Sequence, residues 1–250
     1  MSPKRRKSPG PHSSHPTTAK MVPSATSLNA TLGRSALQAY IDAPASFPTS
    51  RVLSYDDDFV VIRDAYPKAS VHLLLLPRSS SHTALHPFEA FADATFLAAV
   101  RNAVAPLVTL VASELRRLHG SASRTDAART AAITAEPPPA ALPPGRDWTK
   151  DVLLGVHAHP SMSNLHVHVL SRDRYSDCVK HRKHYNSFAT PFLVPLADFP
   201  LAHNDERRHP GKQGYLASEM RCWRCGVSFG KSFVRLKEHL KEEYEEWRRE

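Results

Sequence analysis

The sequence predicts an α+β chain, an antiparallel sheet with one long helix, followed by a small C-terminal metal-binding unit. Three observations predict it. Apolar stretches of strand length lie on both sides of a single long helical pattern at 86–119. Strands grouped in this way, rather than alternating one for one with helices, mark the α+β arrangement. Near the C-terminus, Cys222-Trp223-Arg224-Cys225 precedes an amphipathic pattern from Phe233 to Arg249 that carries His239 and Glu243.

Pro, Ser, Lys and Arg dominate residues 1–30 without helical or strand period, so a disordered basic tail is expected over 1–33. Its run Lys4-Arg5-Arg6-Lys7 suits a nuclear import signal or a nonspecific DNA tether, and predicts a nuclear location. Ala36, Leu37, Tyr40 and Ile41 fit one face of a short helix. Arg51–Tyr55 and Phe59–Arg63 read as antiparallel strands joined by Asp56-Asp57-Asp58, and Val71–Leu76 as a further strand closed by Pro77. Over 86–119, Phe88, Phe91, Phe96, Leu97, Val100 and Val104 supply the apolar face of one continuous helix. Residues 120–148, rich in Ala, Ser and Pro, read as a mobile loop insertion with no catalytic part. Asp151–Val156 and Leu165–Leu170 complete the strands, which puts the main domain at 34–205 and the small unit at 206–250.

With 250 residues, 41% of them hydrophobic, the chain can bury one sizeable core. No apolar run is expected to approach the roughly 20 residues of a membrane span, and the first 35 residues lack the apolar stretch of a secretory signal. The 3 cysteines are too few and too unevenly spaced for a disulfide scaffold, and Cys178 reads as a free thiol. Lys+Arg 33 against Asp+Glu 24 leaves +9, which suits a polyanionic partner, with a plain basic protein carrying a basic tail as an equal alternative. The 15 histidines are many, and their positions matter more than their number.

Asn164, His166 and His168 alternate with Leu165, Val167 and Val169, so a two-residue strand period sets three polar groups on one face. Each needs a hydrogen-bond partner if buried, which makes the pattern costly as plain core. An imidazole can be a nucleophile, an acid–base group or a metal ligand. A solvated strand face and a His-X-His metal site compete with catalysis. No acidic or cysteine ligand lies nearby in the sequence, and nucleophilic catalysis is the favoured reading.

Asn164-Leu165-His166-Val167-His168-Val169-Leu170 resembles the histidine-triad signature, three histidines alternating with apolar residues. More narrowly, PSMSNLHVHVLS at 160–171, VVIRDAYPKASVHLLLLPR at 60–78 and CVKHRKHYNSF at 178–188 resemble the aprataxin family. Together with the C-terminal finger the likeness spans 35–250, apart from the insertion. Asn164 departs from the signature, standing where the first histidine is found, although an amide also makes a neutral hydrogen bond.

The resemblance implies a histidine-triad α+β domain that removes AMP from abortively adenylated 5′ ends of DNA and RNA–DNA junctions during single-strand break repair. It implies His166 as the nucleophile of a covalent histidine–AMP intermediate, His168 as its orienting partner, and His157 as general acid/base. A role for His159 is left open. Asp64 would accept from the ribose hydroxyls, with Lys68, His72, Ser161 and Asn164 around the nucleotide. Lys68 as a turn charge and His72 as a satisfied sheet histidine are the plain alternatives. Lys180, His181, Lys183 and His184 form a basic run that would contact DNA phosphates, with a solvated face as its alternative. From position, Leu37 or Tyr40 is expected to stack on the terminal base pair.

The Cys222/Cys225 pair has the spacing of a zinc knuckle, and His239 and Glu243 stand one helical turn apart. Together they complete a tetrahedral zinc site, with Glu242 or water as alternatives for the fourth ligand. Some fungal members of the aprataxin family resemble this Cys-Cys-His-Glu set. Arg221, Arg224, Lys231, Arg235 and Lys237 surround it, and Arg224 and Lys231 are expected on the DNA duplex. The expected zinc is structural, catalysis needing no cofactor. A monomer is expected, with the finger in the place of a partner subunit. Two other functions compete: a general nucleoside phosphoramidate or dinucleoside polyphosphate hydrolase, and a non-enzymatic DNA-binding finger protein. The basic finger weighs against the first, and His157, His166 and His168 together weigh against the second.

Overall fold

Six strands build one antiparallel sheet: β1 (Val52–Tyr55), β2 (Phe59–Arg63), β3 (His72–Pro77), β4 (Val152–His157), β5 (Val167–Ser171) and β6 (Leu193–Pro195). Their order is β1-β2-β3-β5-β4-β6. The computed structural model describes residues 33–250, so the Lys4–Lys7 run and the expected tail lie outside the described residues. The helices are α1 (Gln38–Asp42), α2 (Pro87–Ala90), α3 (Ala94–His119), α4 (Arg124–Ile133), α5 (Arg182–Ala189), α6 (Pro210–Gln213) and α7 (Phe233–Arg249).

The strand period divides the sheet into two faces. Phe59, Val61, Leu73, Leu75, Val167 and Val169 pack under α3, which buries Leu97, Val100, Val104, Leu107, Val111 and Leu115 at helical spacing. By length and composition α3 would suffice to cross a membrane, contrary to expectation, but this stripe is buried on the sheet. Val60, Ile62, Leu74 and Leu76 form the opposite surface, capped by Leu37, Tyr40 and Ile41 of the N-terminal segment. Leu37 and Tyr40 are therefore largely buried in this core, and both also border the cavity.

The pattern at 86–119 is two helices. His86 and Pro87 start α2, and the Asp93 carboxylate accepts from Thr95 N (2.9 Å) and Phe96 N (3.1 Å) to start α3 afresh. Helix α5 and strand β6 escaped the reading, α5 because its sequence is mostly polar and β6 because it has three residues.

The insertion at 120–148 is not the loop expected. It carries α4, and its ends are buried against the rest of the chain. Asp126 accepts from Arg146 N (2.9 Å) and Trp148 Nε1 (2.9 Å). The Arg146 guanidinium lies 4.0 Å from the Trp148 ring and donates to Asp151 Oδ2, whose Oδ1 accepts from Trp247 Nε1 (2.9 Å). Trp247 of α7 thus shares the core under α3, at the foot of β4. The finger is packed into the main domain rather than hung from it.

Candidate active site and metal centre

The site stands on the sheet face opposite α3. His72 on β3 pairs with Leu170 on β5, Leu74 with His168, and Gly155 on β4 also with His168. These pairings bring His72, His168 and His157, the last residue of β4, onto one surface beside His166. Gly155 has to be bare, because a Cβ there would lie 2.6 Å from Val194 O. Phe188 of α5 sets its edge against three of the imidazoles, with centroids 5.5 Å from His72, 5.1 Å from His168 and 4.7 Å from His157.

Hydrogen bonds to the backbone dictate where each imidazole keeps its proton. His166 Nδ1 lies 2.8 Å from Asn164 O, and a carbonyl only accepts, so Nδ1 carries the hydrogen and Nε2 keeps a lone pair. Lys68 N–H donates to His72 Nδ1 (3.1 Å), so the His72 hydrogen is on Nε2 and is given to His168 Nδ1 (2.9 Å). His168 must then present Nε2–H, a buried donor without a partner. A hydrogen bond to the backbone of Ser187 holds one nitrogen of His157, and its Nε2 is also buried without a partner.

The imidazoles are neutral. Burial lowers His72 to about 4 and His157 to about 3, pushes His166 down, and pushes His168 well below its ordinary value. Neighbouring imidazoles add to the effect on His157 and His168. Asp64 Oδ2 lies 3.5 Å from His72 Nδ1, but that nitrogen already accepts from Lys68 N, so the contact is not an ion pair. Of Asp64, His72 and His168, which stand close together, the two histidines are joined by a hydrogen bond and Asp64 lies beside them.

A cavity of about 1350 Å³ opens over His157, His166 and His168. Asp64, Lys68 and an exposed Ser161 stand on its wall. Two expectations are corrected. His72 is not on the wall: it is packed behind His168 and fixes that residue's tautomer. The Asn164 side chain turns away to Gln38 Oε1 (2.7 Å) and borders a smaller cavity of about 190 Å³ with His86 and His159.

The C-terminal cluster has the donors of a metal site. Single ligand atoms of Cys222, Cys225, His239 and Glu243 lie within 4.8 Å of one another, with Cys225 Sγ and Glu243 Oε1 each 3.1 Å from His239 Nε2. Two thiols, an imidazole and a carboxylate in that space fit tetrahedral zinc. Arg224 supports the set twice: its N–H points at Cys222 Sγ (3.4 Å), and its guanidinium holds Glu243 Oε2 (2.6 Å), leaving Oε1 toward the centre. The same guanidinium donates to Glu250 Oε1 (2.6 Å). Arg224 was expected on DNA, but its charge is spent inside the finger.

The HIT domain family matches residues 48–175, and the C2HE / C2H2 / C2HC zinc-binding finger family matches 189–246. An aprataxin-like protein of Schizosaccharomyces pombe is 36% identical over 86% of this chain and 82% of its own length. One of Saccharomyces cerevisiae is 31% identical over 84% and 95%. This chain is an aprataxin-like member of the HIT family. A crystal structure of an aprataxin ortholog in complex with DNA superposes with a TM-score of 0.68 at 32% identity, covering 86% of this chain and 96% of the other.

In this aprataxin-like chain the basic run lies at the cavity mouth. His181, Lys183 and His184 line it, and Lys180 is exposed beside them. Lys180 N–H donates to His184 Nδ1 (3.3 Å), so His184 offers Nε2–H while burial and His181 lower it to about 4. Lys231 is exposed on the finger turn. The sequence reading missed Phe188, Gly155 and Gln38 as site residues. The helical spacing of His184, Ser187 and Phe188 pointed to Phe188, and no local signal pointed to Gly155 or Gln38.

Proposed function

We propose that this chain hydrolyses 5′-adenylated ends of DNA and of RNA–DNA junctions, releasing AMP and a 5′-phosphate. One observation carries the reading: a fixed lone pair on His166 Nε2 stands beside a free donor on His168 Nε2 and a free acceptor on His157 Nε2. That triplet suits two-step phosphoryl chemistry.

His166 Nε2 attacks the adenylate phosphorus, a nitrogen–phosphorus bond forms, and the anhydride bond to the DNA 5′-phosphate breaks with its electron pair leaving on the phosphate. A phosphate monoester has a second pKa of about 6, so it departs without needing a proton. Burial keeps His157 unprotonated at neutral pH, so it has no proton to give in the first step, and this chemistry requires none there. The charged intermediate keeps Nδ1–H on Asn164 O, and His168 Nε2–H donates to a phosphate oxygen. In the second step water attacks the phosphorus, His157 Nε2 takes its proton, and the electron pair returns to His166 as AMP leaves. Asp64 accepts from the ribose hydroxyls, with Lys68 and Ser161 on the phosphate side.

The zinc ligands do not line this cavity, and bound zinc would supply folding rather than chemistry. The +9 charge, the cavity-mouth residues His181, Lys183 and His184, and the relative solved with DNA support a duplex substrate. A monomer in the nucleus, with import through Lys4–Lys7, completes the proposal.

The test is AMP release from a nicked duplex bearing a 5′-adenylate, by wild type and His166→Ala, with and without brief chelation. Expected is release by wild type that chelation spares and the substitution lowers by about 10³-fold or more. Turnover of a free adenosine phosphoramidate without release from DNA would replace this reading with a general HIT hydrolase.

A further inference from the structure

We propose that Gln38 is a positioning residue for the nucleophile, acting from α1 through Asn164; this rests on the reading of His166 as nucleophile. The three residues ahead of His166 are each tied to chain outside the sheet. Ser163 N–H donates to Arg34 O (2.8 Å), Asn164 Nδ2 to Gln38 Oε1 (2.7 Å), and Leu165 N–H to Thr83 O (2.7 Å). Two of the three anchors stand on 34–38, and Arg34, Leu37 and Tyr40 of this segment line the reaction cavity.

Asp42 sets the polarity of the chain of bonds. A carboxylate only accepts, so Gln38 turns Nε2 to Asp42 Oδ1 (2.8 Å) and is left to offer Oε1 to Asn164. Asn164 must therefore present Nδ2. Its Oδ1 is buried without a partner, so Gln38 and a 3.5 Å contact to Thr83 Oγ1 are what hold the amide. The backbone carbonyl of this same residue receives His166 Nδ1–H and so aims Nε2. Where the triad signature has a histidine, this chain has a short amide that reaches a glutamine on α1, between the cavity-lining Leu37 and Tyr40. A substrate resting against 34–40 thus bears on the direction of the nucleophile.

The experiment compares Gln38→Ala, Gln38→Glu and the double variant Gln38→Glu/Asp42→Asn, with thermal melts confirming the fold of each. The double variant restores both hydrogen bonds, because a carboxylate at 38 accepts from Asn164 Nδ2 and from an amide at 42. kcat and KM are measured on the 5′-adenylated nick and on free adenosine phosphoramidate. Duplex affinity and the ring-nitrogen NMR signals of His166 are followed in parallel. Expected for Gln38→Ala is a fall in kcat of about tenfold on both substrates, at unchanged duplex affinity. The His166 signals should move from one Nδ1–H tautomer toward a mixture. The double variant should recover the kcat and the tautomer, and Gln38→Glu alone, which keeps an acceptor for Asn164 Nδ2 but sets it against the Asp42 carboxylate, should fall between it and Gln38→Ala. A change confined to KM and duplex affinity would overturn the proposal, making α1 a wall for DNA. Should wild type turn over neither substrate, the functional reading fails, and the His166 tautomer still decides the role of Gln38.

Discussion

The chain uses histidine in two opposite ways. At the triad the imidazoles are buried, their charge is suppressed, and a backbone group fixes each lone pair: Asn164 O for His166, and Lys68 N through His72 for His168. At the finger, His239 is half-exposed, and its Nε2 is crowded by a thiol and a carboxylate at 3.1 Å each. The first arrangement is complete in itself. The second brings acceptor atoms together and is held by the ion they would share. One centre is therefore organised by hydrogen bonds within the chain, the other by a metal.

Removing zinc should separate the two most strongly. Because Trp247 of α7 is tied to Asp151 at the foot of β4, the loss should reach the main domain. Chelation to completion, or Cys222→Ser, is expected to cost about 3 kcal/mol or more and lower Tm by roughly 6–12 °C. The comparison breaks if metal-free protein melts unchanged.

Removing the triad's internal support should act on rate instead. His72→Ala takes the donor from His168 Nδ1, so His168 no longer has to present Nε2–H. A loss of about 2 kcal/mol in transition-state stabilisation, some 30-fold in kcat, is expected at unchanged KM. His239→Ala should leave the same kcat on free adenosine phosphoramidate within about twofold. Parallel kinetics on that small substrate check both.

Acid acts on the triad through its suppressed charges. With His72 lowered to about 4 and His157 to about 3 from 6.5, the folded chain binds fewer protons than the unfolded chain across that interval. Stability from these two groups is whole above pH 6.5 and is lost as pH falls toward 4 and 3. Denaturant titrations should show lower stability at pH 6.0 than at pH 7.5, by roughly 1 kcal/mol or more. His72→Phe should make that difference smaller.

Legibility followed the range of the cause. The strand β2 and the helix α7 stood in the sequence with the bounds found, because apolar period and charge pattern are local. The shared face of His166 and His168 was local too. What escaped depends on distant partners. His72 meets His168 across 96 residues, Asn164 meets Gln38 across 126, and Trp247 meets Asp151 across 96. No spacing rule reaches that far, so His72 and Asn164 were read as lining the nucleotide, and the Asp126–Arg146 clasp was read as loop. Arg224 was misread for the same reason, its carboxylates lying 19 and 26 residues away.

Arg224 and Lys183 give the finest division between the centres, since both are basic and were both expected on DNA. Lys183 is exposed at the cavity mouth, whereas the Arg224 guanidinium is neutralised by Glu243 and Glu250. A free lysine on a phosphate releases one condensed counterion, so Lys183→Ala should reduce the slope of log K against log salt by about 1. Arg224→Ala should leave that slope unchanged, because its charge is already matched within the finger. Its cost should appear at the metal: without the guanidinium, Glu243 Oε2 loses its donor, and zinc affinity should fall about tenfold. Duplex titrations over a salt series, paired with zinc competition against a chromogenic chelator, read both effects. A reduced salt slope for Arg224→Ala with zinc affinity intact would return this arginine to the DNA and erase the distinction.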